Sequence, residues 1–126
     1  MNLLHIDTSG RPGLSGIDPH GSHTRRLSAR FIARWRQARP NDRIDYLDVG
    51  QHPPAHVDGR WIHAAFTPPT EREPWMAEVL AESDRLVDQL VAADLIVVGL
   101  PMYKVDRLVD QLSGTLANER AEAISS

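Results

Sequence analysis

The stretch DLIVVGLPMY, residues 94–103, decides the fold class that we expect for this chain. Its apolar run, residues 95–100, is β-branched in the middle and does not alternate with polar residues. That pattern is typical of a strand in a parallel sheet covered by helices on both faces. Pro101 ends the run, since proline cannot donate a hydrogen bond to a sheet. The sequence therefore predicts a buried strand at residues 94–100.

The residues before this strand predict two further strands and two helices. Residues 2–7 and 43–49 have strand patterns, and residues 24–39 and 74–92 carry apolar side chains at helical spacing. Thr24 is suited to cap the first helix, Pro40 stops it, and a short helical turn is predicted around residues 61–66. The alternation of strands and helices predicts a doubly wound α/β fold with a parallel sheet.

The composition predicts one domain and excludes some kinds of partner. The chain has 126 residues, 41% of them hydrophobic, and a net charge of −3, so we expect neither nucleic acid nor membrane as a partner. The absence of cysteine excludes disulfides and thiolate metal sites. Residues 1–8 do not resemble a signal peptide, and the longest apolar run is too short to cross a bilayer. We therefore expect a cytoplasmic location.

The long loop after the first strand is the first candidate site. Ligands of doubly wound sheets bind at the carboxyl ends of the strands, where this loop of residues 8–23 begins. Hydroxyls of Ser9, Ser22 and Thr24, with free N–H groups at the helix start, are suited to a phosphate. Three nearby arginines could add charge: Arg11, Arg25 and Arg26. The loop matches neither a Walker A motif nor the dinucleotide fingerprint, and a flexible connector with an ordinary capped helix remains the alternative.

The second candidate site follows the third strand. Met102 and Tyr103, after Pro101, would give a flat and polarizable surface suited to an aromatic ligand. Alternatively, these residues pack over the edge of the sheet.

Two weaker patterns in the sequence do not lead us to predict a functional site. The first helix carries six arginines and no acidic residue, which we interpret mainly as a solvated face. His52, His56 and Asp58 do not predict a metal site, because Pro53 and Pro54 prevent helical spacing of the histidines.

Several segments in order carry a resemblance to a known family. They are Leu4-His5-Ile6-Asp7-Thr8-Ser9, Ser22-His23-Thr24, Phe31 with Trp35-Arg36, Asp48-Val49, His56-Val57-Asp58, Trp61 to Pro68, Ser83 to Val87, and Ala93 to Tyr103. Together they resemble the FMN-dependent NADH azoreductases, which are flavodoxin-like NAD(P)H:quinone oxidoreductases. The resemblance covers residues 2–103, about four fifths of the chain.

The resemblance implies a cofactor, an electron donor and an assembly. The cofactor would be FMN, the donor NADH or NADPH, and the acceptor a quinone or azo compound in a homodimer. Ser9, Ser22, His23 and Thr24 would bind the FMN phosphate. The flavin ring would lie along Pro101, Met102 and Tyr103. No catalytic side chain is implied for the hydride step, because the flavin carries that chemistry.

The resemblance stops after Tyr103, where this chain departs from the family pattern. Lys104 and Val105 replace the asparagine and phenylalanine of the family, and the later strands are not recognisable. We therefore expect a truncated flavodoxin-like part at residues 1–103, with an incomplete sheet of three strands in the order 2-1-3. Residues 104–126 would be a divergent helix, near 104–112, and a polar tail. The heptapeptide DRLVDQL at 106–112 repeats residues 84–90.

The expected truncation leaves a second hypothesis of a different class. A non-catalytic fragment would retain the first half of the fold and, if it acts at all, would bind a partner along the apolar third strand. A strand at the edge of a sheet presents unpaired N–H and C=O groups, which makes such pairing possible.

Overall fold

Three parallel strands form the centre of the computed structural model, which describes residues 1–101. β1 spans Asn2–Asp7, β2 spans Arg43–Asp48 and β3 spans Leu95–Gly99. The sheet order is β2-β1-β3, and both pairs are parallel. The predicted doubly wound sheet and its 2-1-3 order are confirmed.

The helices lie on both faces of this sheet. α1 spans His23–Ala38, α2 spans Gly59–Phe66 and α3 spans Pro74–Ala92, with a 3-10 helix at Pro69–Glu71 between the last two. β2 lies on one side of β1 and β3 lies on the other. The two right-handed crossovers therefore run in opposite directions along the sheet and place α1 and α3 on its opposite faces. α1 contacts β1 and β3, α3 contacts β1, and α2 packs on α3.

One part of the core lies at the central strand. Leu3 and Leu4 of β1 are each 1% exposed, because strands flank β1 and helices cover it on both faces. Full burial of a leucine side chain stabilises a fold by about 1.5–3 kcal/mol. A second cluster joins α2 to α3 through Ala64, Met76 and Leu80.

β3 differs from the expectation that helices cover both of its faces. Ile96 and Val98 are 43% and 51% exposed, whereas Leu95 and Val97 are half-buried. The prediction of full coverage was wrong because an apolar run shows what a strand can bury, not whether a helix lies over it. Within residues 1–101, β3 is an edge strand and α3 packs on the β1 side.

Two helix starts differ from the sequence-based expectations. Ser22, not Thr24, caps α1: its Oγ accepts a hydrogen bond from the backbone N–H of Arg25 at 3.2 Å. α2 is a helix of eight residues, longer than the predicted turn, because Asp58 caps it by accepting from the Trp61 N–H at 2.9 Å. The other predicted boundaries differ by one residue at most.

Some predictions fall outside the described residues. These are the ring-contacting Met102 and Tyr103, the helix near 104–112 and the polar tail. The division of the chain at residue 103 remains a prediction. In the part of the chain that the structure describes, no helix is both long and apolar enough to span a bilayer.

Candidate functional site

A cavity of about 480 Å³ lies where β1 and β3 end and α1 begins. Its lining comes from the β1–α1 loop, the first residues of α1 and the residue that follows β3: Ser9, Arg11, Ser22, His23, Thr24, Leu27 and Pro101. It brings together every predicted cofactor-binding residue that the structure describes. The two candidate sites of the sequence, the phosphate loop and the strand-end proline, therefore face one space.

The hydroxyl groups of the site are held in place by short contacts. Ser9 follows β1, is 1% exposed, and accepts a hydrogen bond at its Oγ from the Arg11 N–H at 3.2 Å. The Ser22 N–H donates to the Gly13 carbonyl at 2.7 Å, and the Ser22 and Thr24 hydroxyls lie 3.0 Å apart. These contacts fix the hydroxyls before any ligand binds.

The start of α1 presents backbone donors to the cavity. Within residues 1–101, the His23 and Thr24 N–H groups have no hydrogen-bond partner, whereas Ser22 Oγ accepts from the third N–H of the helix. The first turn holds no acidic residue, so the positive end of the helix dipole is not offset there. We call Ser9, Ser22, His23 and Thr24 the anion cradle. Its hydroxyl and amide donors fit a phosphate group.

The loop that leads to Ser22 is tied down by its own hydrogen bonds. The Ser15 N–H donates to the Ser22 carbonyl at 3.2 Å, and the Leu14 N–H donates to Asp18 Oδ2 at 2.8 Å. Gly16 adopts a φ of 80°, which permits the turn between them. The loop is therefore a hydrogen-bonded connection that sets the position of Ser22.

Arg25 does not add charge to the cavity, as the sequence suggested it could, and it is not on a solvated face. The residue is 4% exposed, and its guanidinium binds both carboxylate oxygens of Asp48, at 2.7 and 2.8 Å. It also donates to the Ser9 carbonyl at 2.8 Å. The exposed Arg26 side chain donates to the Ser15 carbonyl instead. Of the three arginines that the sequence suggested, Arg11 alone lines the cavity.

Asp7 joins Arg25 to the interior of the sheet. Its carboxylate lies 3.6 Å from the Arg25 guanidinium and accepts from the Ser28 hydroxyl at 2.8 Å and from the Tyr46 hydroxyl at 3.0 Å. We call Asp7, Arg25, Tyr46 and Asp48 the Arg25 network. The buried Arg25 guanidinium is the one cation of this network and lies against both of its carboxylates, and such pairing is the condition under which a buried cation is tolerated.

Two pKa values reflect this network. The hydrogen bonds from Arg25 lower the pKa of Asp48 to about 2, against the opposing effect of burial. Burial and the hydrogen bond to Asp7 raise the pKa of Tyr46 to about 12. At neutral pH, Asp48 is therefore ionised and the Tyr46 phenol is protonated.

One pattern in the sequence indicates this network, although it was not used to predict the burial of Arg25. Asp7 and Asp48 each end a strand, and the parallel register pairs them side by side. Two neighbouring carboxylates repel unless a cation lies between them, so a buried partner from the intervening helix was to be expected.

His52 and His56, which follow β2, are not members of the Arg25 network. Asp58, the third residue of that weak metal pattern, caps α2. Among residues 1–101 there is no group of three side chains arranged to hold a metal ion.

Comparison with known proteins places this geometry in a family. The profile of a family described as having the flavodoxin-like fold matches residues 1–105. The chain belongs to this flavodoxin-like family. The FMN-dependent NADH:quinone oxidoreductase of Nostoc punctiforme is 48% identical over 103 residues, which are 82% of this chain and 47% of that protein. An FMN-dependent NADH:quinone oxidoreductase of Idiomarina loihiensis is 46% identical over 102 residues, 80% of this chain and 42% of that protein.

Solved structures show the same flavodoxin-like fold. The azoreductase AzrA superimposes with a TM-score of 0.64 at 23% identity, and an azoreductase from Bacillus anthracis with 0.65 at 23% identity. Each alignment covers 81% of this chain and 47% of the other. The predicted resemblance to azoreductases and quinone oxidoreductases is confirmed. The chain spans about half the length of the curated relatives it matches.

Proposed function

We propose that this flavodoxin-like chain binds FMN and serves an NAD(P)H-dependent oxidoreductase of the quinone reductase or azoreductase type. One observation carries the proposal: His23 and Thr24, whose N–H groups have no partner within residues 1–101, line the same cavity as Ser9, Ser22 and Pro101. The names of the relatives, FMN-dependent NADH:quinone oxidoreductases, support it.

Each residue of the cavity has a role in this proposal. The anion cradle donates hydrogen bonds to the phosphate, and exposed Arg11 adds a positive charge at its margin. Pro101, with Met102 and Tyr103 after it, provides the surface for the ring. FMN, when bound, supplies two-electron redox chemistry between NADH or NADPH and a quinone or azo acceptor. No side chain of this chain is assigned an acid or base role.

The proposal includes a cytoplasmic location and a homodimer. Two strongly exposed apolar side chains, Phe66 at 85% and Val91 at 80%, are available for contact with another subunit.

FMN titration followed by flavin fluorescence tests the proposal. The variant is Ser22→Gly/Thr24→Ala, because glycine is tolerated as a helix N-cap while it removes the hydroxyl. We expect FMN affinity to fall about tenfold or more and riboflavin affinity, which involves no phosphate, to stay within about twofold. Thr70→Ala, an exposed position in the 3-10 helix, is the control. Equal FMN binding by the variant and the wild type would refute the phosphate assignment.

The colour of the purified protein separates this function from the non-catalytic alternative. The half-exposed Ile96 and Val98 on the edge strand are the observation that favours a binding module. A yellow protein with absorbance at about 450 nm supports FMN binding. A protein that stays colourless after addition of FMN supports the binding module instead.

A further inference from the structure

Arg25 is bonded to both serines of the anion cradle. Its backbone N–H donates to Ser22 Oγ at 3.2 Å, and its guanidinium donates to the Ser9 carbonyl at 2.8 Å. Ser9 follows β1 and Ser22 caps α1, so the two serines belong to different ends of a loop. Arg25 therefore connects the two halves of the cradle, through its backbone N–H at Ser22 and through its buried side chain at Ser9.

The other side of this connection is the end of β2. The same guanidinium is held by both carboxylate oxygens of Asp48 and by the Tyr46 hydroxyl, at 2.8 and 2.7 Å and at 3.1 Å. Arg25 does not line the cavity, and its charge is matched by Asp48 and Asp7. A direct attraction between Arg25 and a phosphate is thus not what this geometry offers.

We propose that Arg25 is a positioning residue of the anion cradle: fixed by Asp48, it holds Ser9 and Ser22 at the spacing that a phosphate requires. The inference rests on the proposed FMN function, because it assigns a role within the same site. The planar fork of arginine makes this possible, since it bonds a carboxylate through two N–H groups and still reaches the Ser9 carbonyl.

The variant Arg25→Lys shows whether Arg25 acts through its positive charge or through the geometry of its hydrogen bonds. An ammonium keeps the positive charge but cannot bond Asp48 through two parallel N–H groups and also reach Ser9 in the same way. If Arg25 acted only through its charge, Arg25→Lys would bind as the wild type does. If Arg25 positions the serines, Arg25→Lys loses affinity specifically for the phosphate.

The experiment compares FMN with riboflavin on the full chain. For Arg25→Lys we expect FMN affinity to fall about tenfold or more and riboflavin affinity to stay within about twofold. Asp48→Asn, which keeps the side-chain shape but removes the charge that fixes Arg25, should give the same pattern and replaces Arg25→Lys if that variant does not fold. Arg26→Lys is the matched control, since Arg26 is exposed and its side chain bonds only the Ser15 carbonyl among the described contacts. Unchanged FMN affinity, or equal losses for FMN and riboflavin, would overturn the inference.

Inorganic phosphate gives a readout that does not involve FMN. Phosphate should shift the NMR signals of the His23 and Thr24 amides in the wild type, and at higher concentration in Arg25→Lys. If the wild type binds phosphate but not FMN, the proposed function is wrong and the Arg25→Lys phosphate titration decides the inference. If phosphate does not shift either amide in the wild type, the inference is wrong. It is also wrong if the amides of Arg25→Lys shift at the same phosphate concentration as those of the wild type.

Discussion

Gly50 lies against the Ser9 carbonyl so closely that a Cβ on Gly50 would overlap its oxygen and lie 2.9 Å from the carbonyl carbon of Thr8. The Ser9 carbonyl is therefore contacted both by the Arg25 guanidinium and by the residue that follows β2 closely, Gly50. A side chain at position 50 must move this peptide, because the atoms it meets belong to the backbone.

Gly50→Ala is expected to lower both stability and FMN affinity. The overpacking should reduce the free energy of unfolding by about 1–3 kcal/mol, measured by urea denaturation. Gly59→Ala is the control, because a Cβ there meets no atom within 4 Å and alanine favours the first turn of α2. The explanation fails if the two variants have the same stability.

The ion pair between Arg25 and Asp48 predicts a sensitivity to acid. The pKa of Asp48 is about 2 in the folded chain and ordinarily 3.8, so the ionised carboxylate stabilises the fold. This contribution is complete above about pH 4 and is lost as the pH falls through about 2. We expect the stability advantage of the wild type over Asp48→Asn to shrink in this window by on the order of 2 kcal/mol, measured by urea denaturation at several pH values. An advantage that does not change with pH would contradict this.

The raised pKa of Tyr46 predicts that its phenol loses its proton at a higher pH than an ordinary tyrosine does. Its pKa of about 12 lies above the ordinary value of 10, so the protonated phenol is the form that stabilises the fold. That contribution is present below about pH 10 and is lost as the pH rises through about 12. The near-ultraviolet absorbance of wild type minus Tyr46→Phe should therefore show tyrosinate forming near pH 12. A transition near pH 10 would contradict the raised pKa that burial and the hydrogen bond to Asp7 produce.

Leu4 and Ile96 are paired across β1 and β3 but differ in burial. Leu4 is 1% exposed and Ile96 is 43% exposed. Leu4→Ala should reduce the free energy of unfolding by about 2–5 kcal/mol, and Ile96→Ala by about 1 kcal/mol or less. Urea denaturation of both variants measures the difference. A loss at Ile96 as large as that at Leu4 would mean that the edge position is covered in solution.

The strands and long helices could be predicted because each has a strong local pattern. Residues 2–7 and 74–92 form β1 and α3 with the predicted bounds. A helix boundary was harder to predict where two nearby residues were both suitable as the N-cap. Ser22 and Thr24 are both suitable caps, and only the fold of the loop, in which Ser22 N–H bonds Gly13, selects Ser22.

The cavity could be located from sequence, whereas Arg25 could not be singled out as the arginine that pairs with Asp7 and Asp48. The cradle residues are close in sequence to a strand end and a helix start, and the resemblance named them. Arg25 looked like the other arginines of α1, because its partner Asp48 lies 23 residues further along the chain. Its burial depends on the register that places β2 beside β1.

The sequence separation of these contacts bears on the order in which the chain folds. Arg25 reaches Ser9 across 16 residues and Asp48 across 23, whereas the hydrogen bond from Thr8 to Gly99 spans 91. Closing a short loop costs less chain entropy than closing a long one. The opening β1–α1–β2 unit therefore contains every partner of Arg25 described above, so on a ribosome the residues that make these contacts are all present before β3 has been synthesised.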